Sequence, residues 1–429
     1  MFGGRTAGRQ RRRPTLIQGS GGGGLAATRR HKPDYWLLIL SSLLMGVGLV
    51  VVYSISPGLA ALKGVSDNYY VTKQLVAILL GVIAFLITAW LPLRVWRRLS
   101  WPLALSAVVA VIAAFLAPID EATRAHRWIV FGGFSFQVAE LMKFALLIGV
   151  ANFLLLRRRQ GLLGDFKATL RPLLILILAL GLVGVKFQSD LGSTAVMLAI
   201  IGGMAFISGL PLRRIALVGL VVAVGFMLAI ASSDYRRDRV LTFLNPGQDC
   251  QSSGYQACQA LIAVGSGGLL GLGLGHSVQA YGYLPEASND SIFAIMAEKF
   301  GFLGVSMILA VYVVLIARLK RVAERVPDEF NRLLVVGVLA WLSTQMIINV
   351  GAMLGLLPLK GITLPFISYG GTSMIFLTAA VGLVFQISRY TSYGVTTTYE
   401  SSRQATSNRP DRRRFGRAYN PHLVSRPRA

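Results

Sequence analysis

Six ionisable side chains stand inside or at the edge of long apolar runs: Glu140, Lys143, Asp190, Asp290, Glu298 and Lys299. A charge at membrane depth is costly, so each is a candidate for function. Glu140 and Lys143 are three residues apart, which puts them on one helical face within pairing distance. Such a pair either locks helices together or shapes a polar site. Asp290 lies in Pro285-Glu286-Ala287-Ser288-Asn289-Asp290-Ser291, immediately before an apolar run. Its position is that of a helix cap, where a carboxylate accepts backbone N–H bonds. The alternative is a general base at the water–lipid boundary, where partial desolvation raises a carboxylate's basicity. The stretch from Gly265 to Gly275 superficially matches nucleotide-binding loops, but lacks the preceding strand and the Lys-Ser/Thr ending of a phosphate cradle. Close backbone packing, or a loop lying against a lipid-linked ligand, is the better expectation. His31, His126, His276 and His422 are scattered and show no metal-ligand spacing.

The elements that must position these groups follow from composition. Of 429 residues, 54% are hydrophobic and 14% charged, against roughly 25% charged in soluble domains. This excludes an ordinary soluble fold and predicts an all-α polytopic membrane protein. Ten apolar segments of about bilayer-spanning length recur, near 35–53, 70–91, 101–117, 138–156, 172–187, 193–208, 212–232, 292–316, 333–355 and 372–388. The fifth and sixth are short and are separated by Lys186, Gln188, Ser189 and Asp190, so this region reads as two short spans or a re-entrant feature.

Net charge is +25. The basic residues do not form a patch on a polar domain, so the expected partner is a membrane surface and not nucleic acid. They fall in alternate connections: Arg94, Arg97 and Arg98; Arg157 to Arg159; Arg213 and Arg214; Arg318, Lys320, Arg321 and Arg325; and both tails. Retention of Lys and Arg in the cytoplasm then predicts an even number of spans with N-in/C-in topology. The expected organisation is a disordered basic tail over 1–34, a transmembrane domain over 35–390 and a second basic tail over 391–429. A large extracytoplasmic loop, about 233–290, joins the seventh and eighth helices. It carries Arg236, Arg237 and Arg239, and long translocated loops tolerate such charge. It also holds Cys250 and Cys258, for which a disulfide or a pair of free thiols is equally admissible.

Several ordered motifs resemble the SEDS family of FtsW/RodA/SpoVE-type peptidoglycan glycosyltransferases. Arg127-Trp128-Ile129, then Gly132 to Gln137, then Glu140-Leu141-Met142-Lys143 is similar to the family's loop leading into Ser-Glu-Leu-Ala-Lys, with Ala139 for the Ser and Met142 for the Ala. Gln188-Ser189-Asp190-Leu191-Gly192 resembles Gln-Pro-Asp-Leu-Gly. Phe243-Leu244-Asn245-Pro246, Leu284-Pro285-Glu286-Ala287, Asn289-Asp290-Ser291-Ile292-Phe293 and Glu298-Lys299 follow in family order. So do Asn349, Pro358 and Thr363 to Ser373. Ser189, Ser291 and Lys299 depart from the pattern, and Lys299, standing for the second Glu of its Glu-Glu, alters the charge near the site.

The resemblance implies polymerisation of lipid II at the outer face of the bacterial cytoplasmic membrane, at the septum if the FtsW-like branch suggested by the long basic tails applies. The growing chain would pass from its undecaprenyl diphosphate onto the 4-hydroxyl of lipid II. Asp290 matches the carboxylate that deprotonates the acceptor. Glu140, Lys143 and Asp190 match polar residues needed for activity, and Arg236 and Arg239 are suited to a diphosphate. Glu286, Glu298 and Ser368 take supporting positions. No organic cofactor is expected; a divalent cation, Mg2+ or Mn2+, held by carboxylates and substrate phosphates would leave no motif. The implied partners are a class B penicillin-binding protein transpeptidase and other divisome or elongasome proteins. A lipid II flippase and a non-catalytic division scaffold are the alternatives; the sequence shows no clear internal repeat of the kind many transporters carry.

Overall fold

The computed structural model describes residues 32–117, 126–131, 134–232, 237–238, 240–241, 243, 250–251 and 254–390. Twelve α-helices are described: α1 (Tyr35–Lys63), α2 (Tyr69–Trp90), α3 (Leu93–Arg98), α4 (Ser100–Leu116), α5 (Val138–Arg159), α6 (Arg171–Leu182), α7 (Leu191–Ser208), α8 (Leu212–Ala231), α9 (Tyr255–Ser266), α10 (Ile292–Arg325), α11 (Glu329–Met353) and α12 (Gly371–Ile387). An antiparallel hairpin, β1 (Trp128–Phe131) and β2 (Phe134–Gln137), feeds directly into α5.

Among the described residues nine helices are long and apolar enough to cross a membrane, and α4, at 17 residues, is a shorter apolar one. These coincide with the ten segments expected from the sequence. The chain is therefore an all-α polytopic membrane protein, in which each helix satisfies its own backbone where lipid supplies no partner. The region read as two short spans or a re-entrant feature holds two helices that are each long and apolar enough to span. Single π-turns at Phe166–Leu170 and Val183–Phe187 extend α6 at both ends, giving a 20-residue apolar stretch over Phe166–Val185.

Burial divides the helices. α5, α7, α11 and α12 are mostly buried, whereas α8 buries only Ala229. In α2 the buried residues Tyr70, Gln74, Ala77, Gly81, Phe85 and Thr88 recur at helical spacing, and this face meets α12 through small residues. A Cβ on Gly81 would lie 3.0 Å from Thr378 Oγ1, and one on Gly382 would lie 2.1 Å from Thr88 Oγ1. Close backbone approach of this kind is how helices gain packing energy where lipid removes the hydrophobic drive.

Contacts between helix ends sort into two sets. At the basic end, Asp34 N–H donates to Ser388 Oγ (2.9 Å), Gln386 Nε2 to the Leu91 carbonyl (2.7 Å), and Arg158 pairs with Glu329 (3.2 Å). At the opposite end the hairpin, the start of α7, the turn before α10 and the segment after α11 meet. There Thr372 Oγ1 donates to the Ser135 carbonyl (3.1 Å), and Arg127 Nη2 to that of Ser189 (2.7 Å).

α10 runs to Arg325, well past the expected end near residue 316, and is broken at Gly301, whose φ of 66° and ψ of −172° lie outside helical space. Part of the glycine-rich stretch packs into that break. Leu272 and Gly273 N–H donate to the carbonyls of Glu298 (2.9 Å) and Lys299 (3.0 Å), and Phe302 and Leu303 N–H donate to those of Gly268 (2.9 Å) and Leu269 (3.1 Å). Only glycine fits here: a Cβ on Gly271, at φ 82°, would lie 2.2 Å from the Lys299 carbonyl oxygen.

Candidate active site at the end opposite the basic connections

Asp290 ends the turn that precedes α10 and is half-buried. Ser291, not Asp290, occupies the helix N-cap position, and its side chain makes no cap hydrogen bond, so the cap position suggested for Asp290 falls one residue later and carries no side-chain cap. Three successive carbonyls of the turn are each held from outside. Ser288 accepts from Tyr369 N–H (2.9 Å), Asn289 from Ser368 Oγ (2.6 Å), and Asp290 from Asn349 Nδ2 (2.7 Å). The turn is thus fixed through its backbone. Asp290 Oδ2 lies near exposed Gly361, where even an added Cβ would stand 3.6 Å away. Ser291 Oγ lies 3.4 Å from Oδ1 and also meets the Pro285 carbonyl and Gln256 Nε2 of α9.

The segment after α11, residues 358–370, is the hub. Ser368 Oγ accepts from Leu364 N–H (2.7 Å) while donating to Asn289, so one hydroxyl closes the hub on itself and on the turn before α10. Asn349 Nδ2 also donates to the Ile362 carbonyl (2.7 Å). The start of α7 abuts the same segment: a Cβ on Gly192 would meet the Ile362 side chain at 2.5 Å and Lys360 Cβ at 3.3 Å. Asp190, 6% exposed, caps α7 by accepting from Ser193 N–H (2.9 Å). Its helix start therefore borders the segment that carries Gly361 and faces Asp290. Tyr369, whose ring meets Tyr70 edge-on at 5.4 Å, has its phenol pushed up to about 12, by burial first and then by Tyr69 and Tyr70. It is a neutral hydroxyl at physiological pH.

Glu140 and Lys143 do pair, at 2.7 Å, and are 2% and 1% exposed. Lys143 Nζ also donates to Gln345 Oε1 (3.2 Å) and stands 5.1 Å above the Trp341 ring. Gln345 and Asn349 are one turn apart on α11, a rise of roughly 6 Å. The ion pair therefore attaches to the helix about one turn below the residue that holds Asp290.

The other candidates take different places. Glu298 is 1% exposed and accepts from Ser277 Oγ, Val278 N–H (2.9 Å) and Gln279 N–H (3.2 Å). Lys299 Nζ donates to the Leu274 carbonyl. Both anchor the long connection to α10. Glu286 is exposed, at φ 52°, and accepts from Asn289 Nδ2 within the turn before α10. Cys250 and Cys258 are joined by a disulfide. Arg236 and Arg239 lie outside the described residues. No group of three or more His, Cys, Asp or Glu side chains gathers among the described residues. Gln345, Trp341 and Thr363 complete the buried network and were missed as site residues, because a search keyed to charge passes over uncharged polar side chains in an apolar run.

Fold and site together define a polytopic helical membrane protein with a polar cluster clamped at one end of its bundle. Known proteins share this plan. The family of FtsW, RodA and SpoVE cell cycle proteins matches residues 35–393. The chain is 36% identical to stage V sporulation protein E of Bacillus subtilis, over 85% of this chain and 100% of that protein. It is 37% identical to a probable peptidoglycan glycosyltransferase FtsW of Thioalkalivibrio, over 91% and 95%. A chain from a solved structure described as a peptidoglycan synthase complex that coordinates polymerization and crosslinking superposes with a TM-score of 0.65 and 27% identity, over 83% of this chain and 98% of that one. The protein belongs to the FtsW/RodA/SpoVE family.

Proposed function

We propose that this chain is a peptidoglycan glycosyltransferase that polymerises lipid II at the outer face of the cytoplasmic membrane. FtsW relatives are named as probable peptidoglycan glycosyltransferases, and the solved relative belongs to a peptidoglycan synthase complex. The observation that carries the reading for this chain is the clamped turn. Three external donors hold the carbonyls of Ser288, Asn289 and Asp290, while the Asp290 carboxylate lies beside a glycine. The backbone is immobilised by neighbours, and the carboxylate, with Ser291 Oγ 3.4 Å from Oδ1, stands beside the exposed Gly361.

In the proposed reaction an Asp290 oxygen takes the proton of the acceptor's 4-hydroxyl. The freed oxygen bonds to the donor's anomeric carbon, and the bond from that carbon to the undecaprenyl diphosphate breaks, its electron pair leaving with the diphosphate. Attack opposite the leaving group inverts the anomeric centre. General-base assistance of this kind contributes roughly 10²–10⁴ in rate. Arg236 and Arg239 are assigned to the diphosphate on guanidinium–phosphate chemistry. A divalent cation would be held by the diphosphate oxygens and carboxylates at the site, supplying charge neutralisation.

The basic connections support a topology with both termini in the cytoplasm and the Asp290 cluster at the opposite face. The proposed partner is a class B penicillin-binding protein that crosslinks the product, as the synthase complex of the solved relative supports, and the FtsW-like branch would put the pair at the septum. The break in α10 is of the sort transporters use. Here it is filled by the glycine stretch, which favours polymerisation over transport.

The test is polymerisation of lipid II by the purified full chain with its transpeptidase, with and without divalent cation. Asp290→Asn keeps the clamp, whose acceptors are main-chain carbonyls, and is expected to lower the rate at least about 100-fold. An Asn variant that polymerises at the wild-type rate ends the assignment.

A further inference from the structure

Gln345 is fully buried and uses every polar atom it has. Its Oε1 accepts from Lys143 Nζ (3.2 Å) and Trp341 Nε1 (2.8 Å), and its Nε2 donates to the Thr363 carbonyl (3.0 Å) and Oγ1 (3.2 Å). An ammonium and an indole N–H are donors only, so the amide oxygen must face them. That forces Nε2 towards Thr363. The amide has one permitted orientation, dictated from the ion-pair side and delivered on the hub side.

One turn along α11, Asn349 grips the preceding carbonyl, that of Ile362, with the same Nδ2 that holds Asp290. Two side-chain amides on one helical face thus fix consecutive carbonyls next to Gly361, the residue beside the Asp290 carboxylate. We infer that Gln345 is a positioning residue for catalysis. It converts the orientation imposed by Lys143 and Trp341 into the placement of residues 361–363, and so sets the surroundings of Asp290 without touching substrate. This rests on Asp290 as the base.

The discriminating substitution is Gln345→Glu. A carboxylate of the same shape still accepts from Lys143 and Trp341 but has no hydrogen to give Thr363, whose carbonyl then faces another oxygen. Displacement of a reacting geometry by about 1 Å costs about 100-fold. The expected result is a 10–100-fold fall in kcat with KM for lipid II changed less than about threefold, measured on the full chain with its transpeptidase. Thermal unfolding in detergent and Asp290→Asn run in parallel. Wild-type kcat in Gln345→Glu with an inactive Asp290→Asn overturns the positioning role and spares the base. An active Asp290→Asn removes the base itself. A loss in Gln345→Glu that follows the fraction of unfolded protein, or that appears in KM alone, overturns the inference as well.

Discussion

Replacing Lys143 by Met separates what the buried ion pair does for stability from what it does for activity. Lys143 and Glu140 are in contact at 2.7 Å, both almost wholly removed from solvent, and Glu140 Oε2 has no hydrogen-bond partner. The Lys143 contact and the place of Glu140 in the first turn of α5 are what offset burial of the carboxylate charge. Removing one partner of such a pair costs about 3–5 kcal/mol, because the other charge stays buried without compensation. Neutralising both ends removes that penalty, so Lys143→Met with Glu140→Gln is expected to lie within about 1–2 kcal/mol of wild type. Unfolding midpoints in detergent measure the two variants. Activity should behave differently. In both, Gln345 Oε1 keeps only the Trp341 donor, so the double variant regains stability but not turnover. If it unfolds as readily as the single variant, uncompensated charge is not the source of the loss. If it regains full turnover, Lys143 does not act through Gln345.

Gly271→Ala adds a methyl group 2.2 Å from the Lys299 carbonyl oxygen at a φ of 82°, so the glycine stretch should leave the α10 break. Limited proteolysis of residues 267–273 should rise sharply, with a stability loss beyond the roughly 1–3 kcal/mol of the backbone strain alone; unchanged protection would contradict the packing described. Asp190→Ala removes the α7 cap and should lower stability by about 1 kcal/mol, whereas Asp190→Asn, an equally good cap, should stay within about 0.5 kcal/mol of wild type. Equal losses in the two would show that the carboxylate charge, and not the cap, matters in the fold.

Much of this arrangement is legible in the sequence, for physical reasons. A bilayer demands a minimum apolar length, so the spans are visible one by one. The spacing of Glu140 and Lys143 on a helix is itself a statement about distance. Asp290 is conspicuous because it stands where an apolar run begins. The π-turns flanking α6 are less legible, since one extra residue per turn shifts the helical period without altering composition. Illegible too is the seating of the glycine stretch in α10, which is made of main-chain bonds between segments about thirty residues apart. Such bonds leave glycines as their only trace, and glycines have many causes.

The turn around Asp290 shows why a site can be partly readable. Its geometry is enforced by Asn349, Ser368 and Tyr369, none of which carries a charge that would mark it inside an apolar sequence. All three act on main-chain carbonyls, so the side chains at 288 and 289 are not what aims the carboxylate. Buried donors without a partner cost about 1–3 kcal/mol each, which links the stability of the 358–370 segment to the presence of the turn beneath it. Fold energy and catalytic geometry therefore use the same bonds, and weakening one without disturbing the other requires a change such as Asp290→Asn that leaves those carbonyls untouched.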